Sequence, residues 1–208
     1  MKSVVARRME GFSPFYVMEL LQRAKQLEAQ GRDIIHMEVG EPDFSTPDRV
    51  INAGIQHIAS GEVKYTAAAG MMALREKIAD YYFKTYAVRL PPERIFITPG
   101  ASGAFLLALG VSLNADDELI MADPCYPCNS NFVRFFGGKT QFVNVNASTN
   151  YQLTADLIRK NWTQHSRGAL VASPSNPTGT IIHGKELNSV IKQVKELGGH
   201  FYSDEIYH

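Results

Sequence analysis

Four turns in the sequence carry residues whose chemical types could act together. Ser102 follows a Pro-Gly-Ala turn in "ITPGASGAF", Tyr126 lies in "ADPCYPCNS", and Asn176 lies in "SPSNPTGT". The fourth turn, "SDEIYH", contains Asp204 and Tyr207. A helix start offers backbone N–H groups to an anion. The other turns offer an aromatic ring, an amide, a carboxylate and a phenol.

Each of these turns also has a purely structural explanation when it is taken alone. Small residues around Ser102 would allow a helix to pack tightly on a sheet, and Tyr126 could be an ordinary core or surface tyrosine. Asn176 could belong to a simple Asn-Pro turn, and Asp204 could cap a helix or form a surface ion pair. The turn before Ser102 is neither a Walker A loop nor a G-x-G-x-x-G loop, which disfavours a nucleotide as ligand.

Two cysteines, Cys125 and Cys128, form a C-x-x-C pair around Tyr126. Structural zinc normally takes four ligands, and the sequence has no second Cys or His pair at zinc-finger spacing. A thioredoxin-like redox site is an alternative. Two reduced thiols beside a turn are the simpler interpretation, so we predict no metal site.

Short apolar runs alternate with helical patterns along the chain, and the four turns follow apolar runs. The runs typical of strands are "DIIHMEVG", "RIFIT", "ELIMAD", "QFVNV", "ALVASP" and "HFYSD". Helical patterns cover residues 70–86 and 185–197, and "GAFLLALGVSL" predicts a buried helix because it is apolar nearly all round. This alternation predicts an α/β fold, a mostly parallel sheet with helices on both faces and with function at the strands' carboxyl ends.

The composition excludes several classes of function. The 208 residues include 21 basic and 21 acidic side chains, so the formal net charge is zero. A neutral chain removes the electrostatic case for nucleic acid or an anionic membrane as partner. No apolar run approaches the roughly 20 residues that span a bilayer. The basic N-terminus has no apolar stretch after it, which does not fit a secretory signal, and we expect a cytoplasmic protein.

One ligand, pyridoxal 5′-phosphate (PLP), needs all the groups that the four turns supply. Its phosphate needs N–H donors, and its ring needs a flat neighbour. Its O3′ oxygen needs hydrogen-bond donors, and its pyridine nitrogen needs a carboxylate. A protonated pyridine nitrogen makes the ring an electron sink for a carbanion at the substrate Cα. The residues therefore predict a PLP site.

The sequence resembles the class I/II aminotransferases of fold type I, the aspartate aminotransferase superfamily. The matching stretches, in family order, are "VGEPDF", "KYTAAAGMMALREKIADYY", "ITPGASGA", "DPCYP", "SNPTGT" and "SDEIY". "SNPTGT" followed by "SDEIY" is highly specific, whereas the other stretches are individually weaker. The resemblance implies the three-layer α/β/α large domain of a fold type I PLP-dependent transferase. Residues 1–45 would contribute to a small domain and a dimer arm, and residues 46–208 would form part of the PLP-binding large domain.

The resemblance also implies roles for residues in the four turns. Ala101 and Ser102 would hold the phosphate of the cofactor. Tyr126 would stack on its ring, and Asp204 would pair with its pyridine nitrogen. The cysteines beside Tyr126 would then be incidental to the family's Asp-Pro-x-Tyr-Pro turn.

Four further roles follow from the same resemblance. Asn176 and Tyr207 would donate hydrogen bonds to O3′ of the cofactor. Gly40 would contact the substrate carboxylate through its backbone, and Asn176 would also lie beside the substrate. Tyr65 would reach across a dimer interface to the phosphate bound by the partner subunit. The full-length protein would accordingly be a homodimer.

The reaction implied is transfer of an amino group between an amino acid and a 2-oxo acid. C–S lyases, decarboxylases and synthases of the same superfamily are alternatives, because they need the same electron sink. A non-catalytic aminotransferase-like protein is a further alternative, but such regulators normally carry a helix-turn-helix, and the sequence has none.

In the family, the Schiff-base lysine and an arginine that clamps the substrate carboxylate follow the "SDEIY" segment. Neither segment is present in these 208 residues. "RIFIT" resembles the first strand of the family's sheet and "HFYSD" the fifth. We therefore expect the front half of the fold, truncated after the fifth strand, and we expect it to be inactive alone.

Overall fold

The computed structural model describes residues 4–12 and 14–208. These residues form two compact units. The sheet unit comprises the described part of Met1–Ser13 together with Pro99–His208, and the helical unit comprises Pro14–Thr98. The predicted domain boundary at residue 45 concerns the domains of the whole protein, and it stays a prediction.

The helical unit consists of helices joined by irregular segments. The helices are α1 (Tyr16–Glu28), α2 (Asp48–Ala59) and α3 (Met72–Tyr86). α3 was predicted over residues 70–86. Arg75 of this helix is buried, with 7% of its surface exposed. Its Nε donates to the carbonyl oxygens of Pro92 (2.9 Å) and Ile95 (2.8 Å), which ties α3 to the segment that follows it.

Two of the predicted strands are wrong. Neither "DIIHMEVG" nor "RIFIT" pairs with a strand anywhere in the described chain. Ile95 has extended backbone angles, and the N–H of Ile97 donates to the carbonyl of Ala69 at 3.0 Å. An extended, β-rich run becomes a strand only when a neighbouring strand satisfies its backbone groups.

The other four predicted strands are confirmed and form one parallel sheet in the described residues. They are β1 (Glu118–Asp123), β2 (Lys139–Asn144), β3 (Ser166–Ala172) and β4 (His200–Asp204). The strand order is β2-β1-β3-β4. In this register Ala172, the last residue of β3, lies beside Asp204, the last residue of β4.

Helices cover both faces of this sheet. They are α4 (Gly100–Ser112), α5 (Cys128–Phe135), α6 (Ala155–Asn161) and α7 (Gly184–Glu196). On one face, α4 and α5 join a buried cluster of Leu109, Leu113, Leu119, Met121, Val133 and Leu170. On the other face, α6 and α7 join Ile120, Val143, Val145, Leu153, Ile158, Ala169, Val171, Ile182, Val190 and Val194. This alternation along the strands gives the predicted three-layer α/β/α arrangement.

The predicted burial of α4 on all sides is wrong. Leu109 is fully buried against the sheet, but Leu107 is 58% exposed and Val111 is 90% exposed. Only the side of α4 that faces the strands has a partner in the described residues. A helix that is apolar nearly all round needs apolar partners on two sides, and the sheet is the partner on only one of them.

The N-terminal segment of the sheet unit lies against the end of α5. Arg134 donates a hydrogen bond to the carbonyl of Gly11, and its guanidinium lies 5.9 Å from the centre of the Phe12 ring. In a second contact the cation lies on the segment and the ring on the helix: the guanidinium of Arg8 lies 5.6 Å from the centre of the Phe135 ring. Two cation–π pairs therefore hold this segment on the helix.

Candidate functional site

The candidate site lies at the carboxyl ends of β1, β3 and β4. Parallel strands place these ends along one edge of the sheet, where open α/β folds bind their ligands. Tyr126 follows β1, Asn176 follows β3, and Asp204 ends β4 with Tyr207 three residues later. Strand order puts β3 between β1 and β4, so the turns that carry these residues are neighbours.

A side-chain hydrogen bond joins the turns that follow β3 and β4. The Nδ2 of Asn176 donates to the hydroxyl oxygen of Tyr207 at 3.2 Å. The structure thus brings together the two side chains that were predicted to bind one oxygen of the cofactor. Both side chains therefore lie close enough together to contact one ligand atom.

Hydrogen bonds to backbone carbonyl groups also join these two turns. The N–H of Ser173 donates to the carbonyl of Asp204 at 3.2 Å. The Nε2 of His208 lies 2.9 Å from the carbonyl oxygen of Ser173. The Oδ1 of Asp204 accepts from the N–H of Ile206 at 3.3 Å, which orients the carboxylate within its own turn. Asp204 is half-buried at the edge of the sheet.

The loop of residues 173–180, which carries Asn176, is closed by its own backbone. The N–H of Ser175 donates to the carbonyl of Thr180 at 2.9 Å, and the N–H of Gly179 donates to the carbonyl of Ser175 at 2.8 Å. Gly179 has a φ of 68°, a left-handed conformation that glycine adopts without steric cost. The glycine therefore allows the loop to turn back towards α7.

Tyr126 is held close to the charged and phenolic groups of the β4 turn. A hydrogen bond with the Cys128 side chain, together with burial and the charges of Cys128, Tyr207 and Asp204, raises the pKa of Tyr126 to about 12. Asp204 and Tyr207, in the turn after β4, therefore act electrostatically on Tyr126, in the turn after β1. The Tyr126 ring accordingly stays neutral at physiological pH.

The thiol of Cys125 is unsuited to redox chemistry at neutral pH. Burial, followed by the charge of Asp123, raises the pKa of Cys125 to about 11, and only the thiolate is a good nucleophile. Both cysteines are free thiols. Among the described residues, no cluster of three or more His, Cys, Asp or Glu side chains could hold a metal ion.

The start of α4 has room for an anion. The backbone N–H groups in the first turn of an α-helix lack intrahelical acceptors, and Pro99, the residue before α4, makes no side-chain cap hydrogen bond. Gly100 has a φ of 69°, and a Cβ added there would meet no described atom within 4 Å. Ala101 and Ser102, the residues predicted to hold a phosphate, follow this open position directly.

Two predicted site residues lie in the helical unit and are described separately. Tyr65 is fully exposed, with a relative accessibility of 107%, and Gly40 is also exposed. The predicted role of Tyr65 depends on a partner subunit and that of Gly40 on a substrate. Both roles stay predictions.

One residue of the site was missed in the sequence, namely Gln152. Its side chain is buried, and its Nε2 donates to the carbonyl oxygens of Ala172 (3.2 Å) and Thr180 (2.9 Å). These residues flank the loop that carries Asn176. A single glutamine in a polar stretch gives no signal of this kind, because its partners lie 20 and 28 residues further along the chain.

No helix in the described part of the chain is both long enough and apolar enough to cross a membrane.

Comparison with known sequences gives a consistent result. Residues 32–208 match the sequence model of the family described as aminotransferase class I and II. The chain is 33% identical over 204 residues to (5-formylfuran-3-yl)methyl phosphate transaminase of Methanocaldococcus jannaschii, covering 98% of this chain and 52% of that protein. It is 31% identical over 207 residues to an aspartate aminotransferase of a Bacillus species, covering 100% of this chain and 53% of that protein.

Solved structures with the same fold include an aminotransferase from Mycobacterium tuberculosis. Its TM-score is 0.94 at 32% identity, covering 99% of this chain and 53% of that one. Aspartate aminotransferase from Thermus thermophilus with maleate has a TM-score of 0.93 at 29% identity, covering 100% of this chain and 54% of that one. The chain spans about half the length of the curated relatives it matches.

Proposed function

The chain belongs to the class I and II aminotransferase family, and we propose that the whole protein transfers amino groups between an amino acid and a 2-oxo acid. The family depends on PLP. The observation that carries the proposal is the 3.2 Å contact between Asn176 and Tyr207, beside Asp204 and Tyr126 at the carboxyl ends of parallel strands. These side chains are the donor, acid and ring that this cofactor needs.

The described residues fit the cofactor in their chemistry. Asn176 and Tyr207 offer donors at one position, and Asp204 offers a carboxylate at the end of β4. Tyr126 offers a ring whose hydroxyl stays protonated, since its pKa is raised to about 12. The open position at Gly100, at the start of α4, leaves room for a phosphate group.

Each side chain would contribute one step of binding or orientation. When bound, PLP supplies an electron sink that lowers the energy of a carbanion at the substrate Cα. Asp204 would hold the proton on the pyridine nitrogen. Asn176 and Tyr207 would donate to O3′, and Tyr126 would lie against the ring. Helix α4 would bind the phosphate through the backbone at Ala101 and the hydroxyl of Ser102.

The remaining parts of the proposal concern the whole protein. We infer that it is a homodimer in which Tyr65 reaches the phosphate bound by the partner subunit, and its complete exposure supports this. Gly40 would contact the substrate carboxylate through its backbone, and Asn176 would lie beside the same substrate. We assign the protein to the cytoplasm and to amino acid biosynthesis.

The proposal is tested by following nitrogen in the full-length protein. The protein is incubated with PLP, a 2-oxo acid and a panel of nitrogen-labelled amino acids, and mass spectrometry detects label in a new amino acid. Asp204→Asn should lower the transfer rate at least about a hundred-fold, because an electrostatic partner of the reacting system is lost.

A matched substitution elsewhere separates this effect from a general loss of structure. Asp156→Asn removes an exposed carboxylate that pairs with Arg159 at 2.8 Å on α6, and it should leave the rate unchanged. Release of sulfide or carbon dioxide without nitrogen transfer would contradict the proposal and identify a C–S lyase or a decarboxylase.

A further inference from the structure

Gln152 lies in a turn between β2 and α6 that directs its side chain into the protein. Asn150 and Tyr151, the two residues before it, have positive φ angles of 52° and 53°, so the chain reverses direction there. Only 5% of the Gln152 surface is exposed. A buried polar side chain requires hydrogen-bond partners, since water cannot supply them.

The partners of Gln152 are the two ends of one loop. Its Nε2 donates to the carbonyl oxygen of Ala172 at 3.2 Å. The same nitrogen donates to the carbonyl oxygen of Thr180 at 2.9 Å and lies 3.1 Å from the Thr180 hydroxyl oxygen. Ala172 ends β3 and Thr180 ends the loop, so one amide group bridges the two ends of the loop.

Asn176 lies halfway along this loop, four residues from Ala172 and four from Thr180. Its side chain donates to the Tyr207 hydroxyl at 3.2 Å. The contacts thus form a chain that runs from Gln152, through the base of the loop, to the Asn176 amide. A shift at the base of the loop would move that amide relative to Tyr207.

We propose that Gln152 is a positioning residue that fixes Asn176 at the cofactor site by bridging the two ends of the loop of residues 173–180. The catalytic consequence rests on the proposed function. The structural part does not, because the hydrogen bonds of Gln152 involve this chain alone. The neighbouring contact of Asn150 Nδ2 with the carbonyl of Ile181 at 3.1 Å is exposed and competes with water, whereas Gln152 is buried. The N–H of Ile182 also donates to the Ser173 hydroxyl at 3.0 Å, but of the loop's own residues this bond contacts only the one at its first end.

The first test is hydrogen exchange on the cofactor-free, full-length protein. Gln152→Met keeps the length of the side chain and removes both N–H donors. Exchange at the amides of Ser175 and Gly179, which are bonded within the loop, should become at least about ten-fold faster through local opening. Gln152→Leu, which also lacks the donors, should give the same result if the methionine variant fails to fold.

Gln141 provides a matched control in the same unit. It is also partly buried, and its Nε2 donates to a backbone carbonyl, that of Asn161, at 2.6 Å. It lies on β2, the strand at the other edge of the sheet from β4. Gln141→Met should leave exchange at Ser175 and Gly179 unchanged. Equal acceleration in both variants, or none with Gln152→Met, would overturn the proposal.

A second test asks whether Gln152 acts through Asn176. Gln152→Met should shift the absorption maximum of bound PLP in the direction that Asn176→Ala shifts it. The double variant should show no larger shift than Asn176→Ala alone, because residues acting through one contact are not additive. Additive shifts would contradict the positioning role.

The two proposals fail in different ways. Faster loop exchange in a protein that transfers no amino groups would overturn the proposed function and leave the loop closure standing. Unchanged amide exchange in the loop of a Gln152→Met variant of an active aminotransferase would overturn the loop closure and leave the proposed function standing.

Discussion

The two compact units differ in how they bury their apolar side chains. In the sheet unit, the fully buried side chains include Leu109, Leu119, Ile120, Met121, Val133, Leu153, Ile158, Val190 and Val194. In the described helical unit, the buried residues are only Ala24, Arg75 and Ile95. α2 has no buried residue, although Val50, Ile51, Ile55 and Ile58 are apolar.

This contrast shows that the two units are stabilised in different ways. In the sheet unit, the strands and their helices bury one another's apolar side chains on both faces of the sheet, although one side of α4 stays exposed. The helical unit presents apolar side chains that no part of the described chain covers. Its elements therefore depend on local helix formation and on a few anchors such as Arg75.

The largest expected effect compares one substitution in the two units. Ile120→Ala should lower the free energy of unfolding by about 2–5 kcal/mol, because it leaves a cavity in the core. Ile58→Ala, at a position 73% exposed, should change it by no more than about 0.5 kcal/mol. Urea denaturation followed by circular dichroism measures both. A large loss with Ile58→Ala would show that another chain covers α2 and would break the comparison.

The second prediction concerns the polar anchor of the helical unit. Arg75→Met removes the side-chain donor to the carbonyl of Ile95, and it leaves the carbonyl of Pro92 with the N–H of Ile95 alone. The substitution should cost about 1–3 kcal/mol. Hydrogen exchange over residues 92–98 should accelerate. Arg89→Met is the control, because Arg89 is exposed and stacks only on the Phe83 ring at 4.6 Å. Similar effects of the two substitutions would show that Arg75 is no anchor.

The third prediction concerns the N-terminal segment of the sheet unit and whether Arg134 holds it. Arg134→Met removes the contacts with Gly11 and Phe12 and should cost about 1 kcal/mol. A loss of that size corresponds to about five-fold faster cleavage by trypsin after Arg8, since the segment opens more often. Arg159→Met, on α6, should not change that cleavage rate. Unchanged cleavage with Arg134→Met would mean that Arg134 does not hold the segment.

The last prediction concerns a pH dependence in the sheet unit. Burial raises the pKa of Cys125 to about 11 from its ordinary 9.0. The folded state therefore favours the neutral thiol. Its contribution to stability is complete below the ordinary pKa and is lost as the pH rises through about 11.

This is measured by alkylation with iodoacetamide in a Cys128→Ser variant, where Cys125 is the remaining thiol. The rate should be low at neutral pH and should rise with a midpoint near 11 in the folded protein. In urea the midpoint should return towards the ordinary value. The same midpoint in both states would show that the Cys125 thiol is not shielded.

The sheet could be predicted from the sequence because its strands carry their own evidence. "ELIMAD" and "ALVASP" are short apolar runs between helical patterns, and each lies in the centre of a parallel sheet. "RIFIT" is similarly rich in apolar residues but has no partner strand in the described residues. Composition reports the tendency to be extended, whereas pairing depends on which other strands are present.

The candidate site could be predicted only in part. Asn176, Asp204 and Tyr207 belong to motifs, and the structure brings Asn176 and Tyr207 into contact. Gln152 belongs to no motif, and its function depends on tertiary contacts that no local pattern encodes. The exposed side of α4 was missed for a related reason. Hydrophobicity predicts that a helix side needs cover, but it does not identify the element that covers it.

The strand order has a consequence for how the protein is made. β2 follows β1 in the chain and pairs with one side of it, and β3 and β4 lie on the other side of β1 in the order in which they are synthesised. A chain emerging from the ribosome can therefore extend its sheet in one direction, without inserting a strand between two others. The turn with Asp204 and Tyr207 follows the other three candidate turns in the sequence, so these two side chains are synthesised after the strands beneath them.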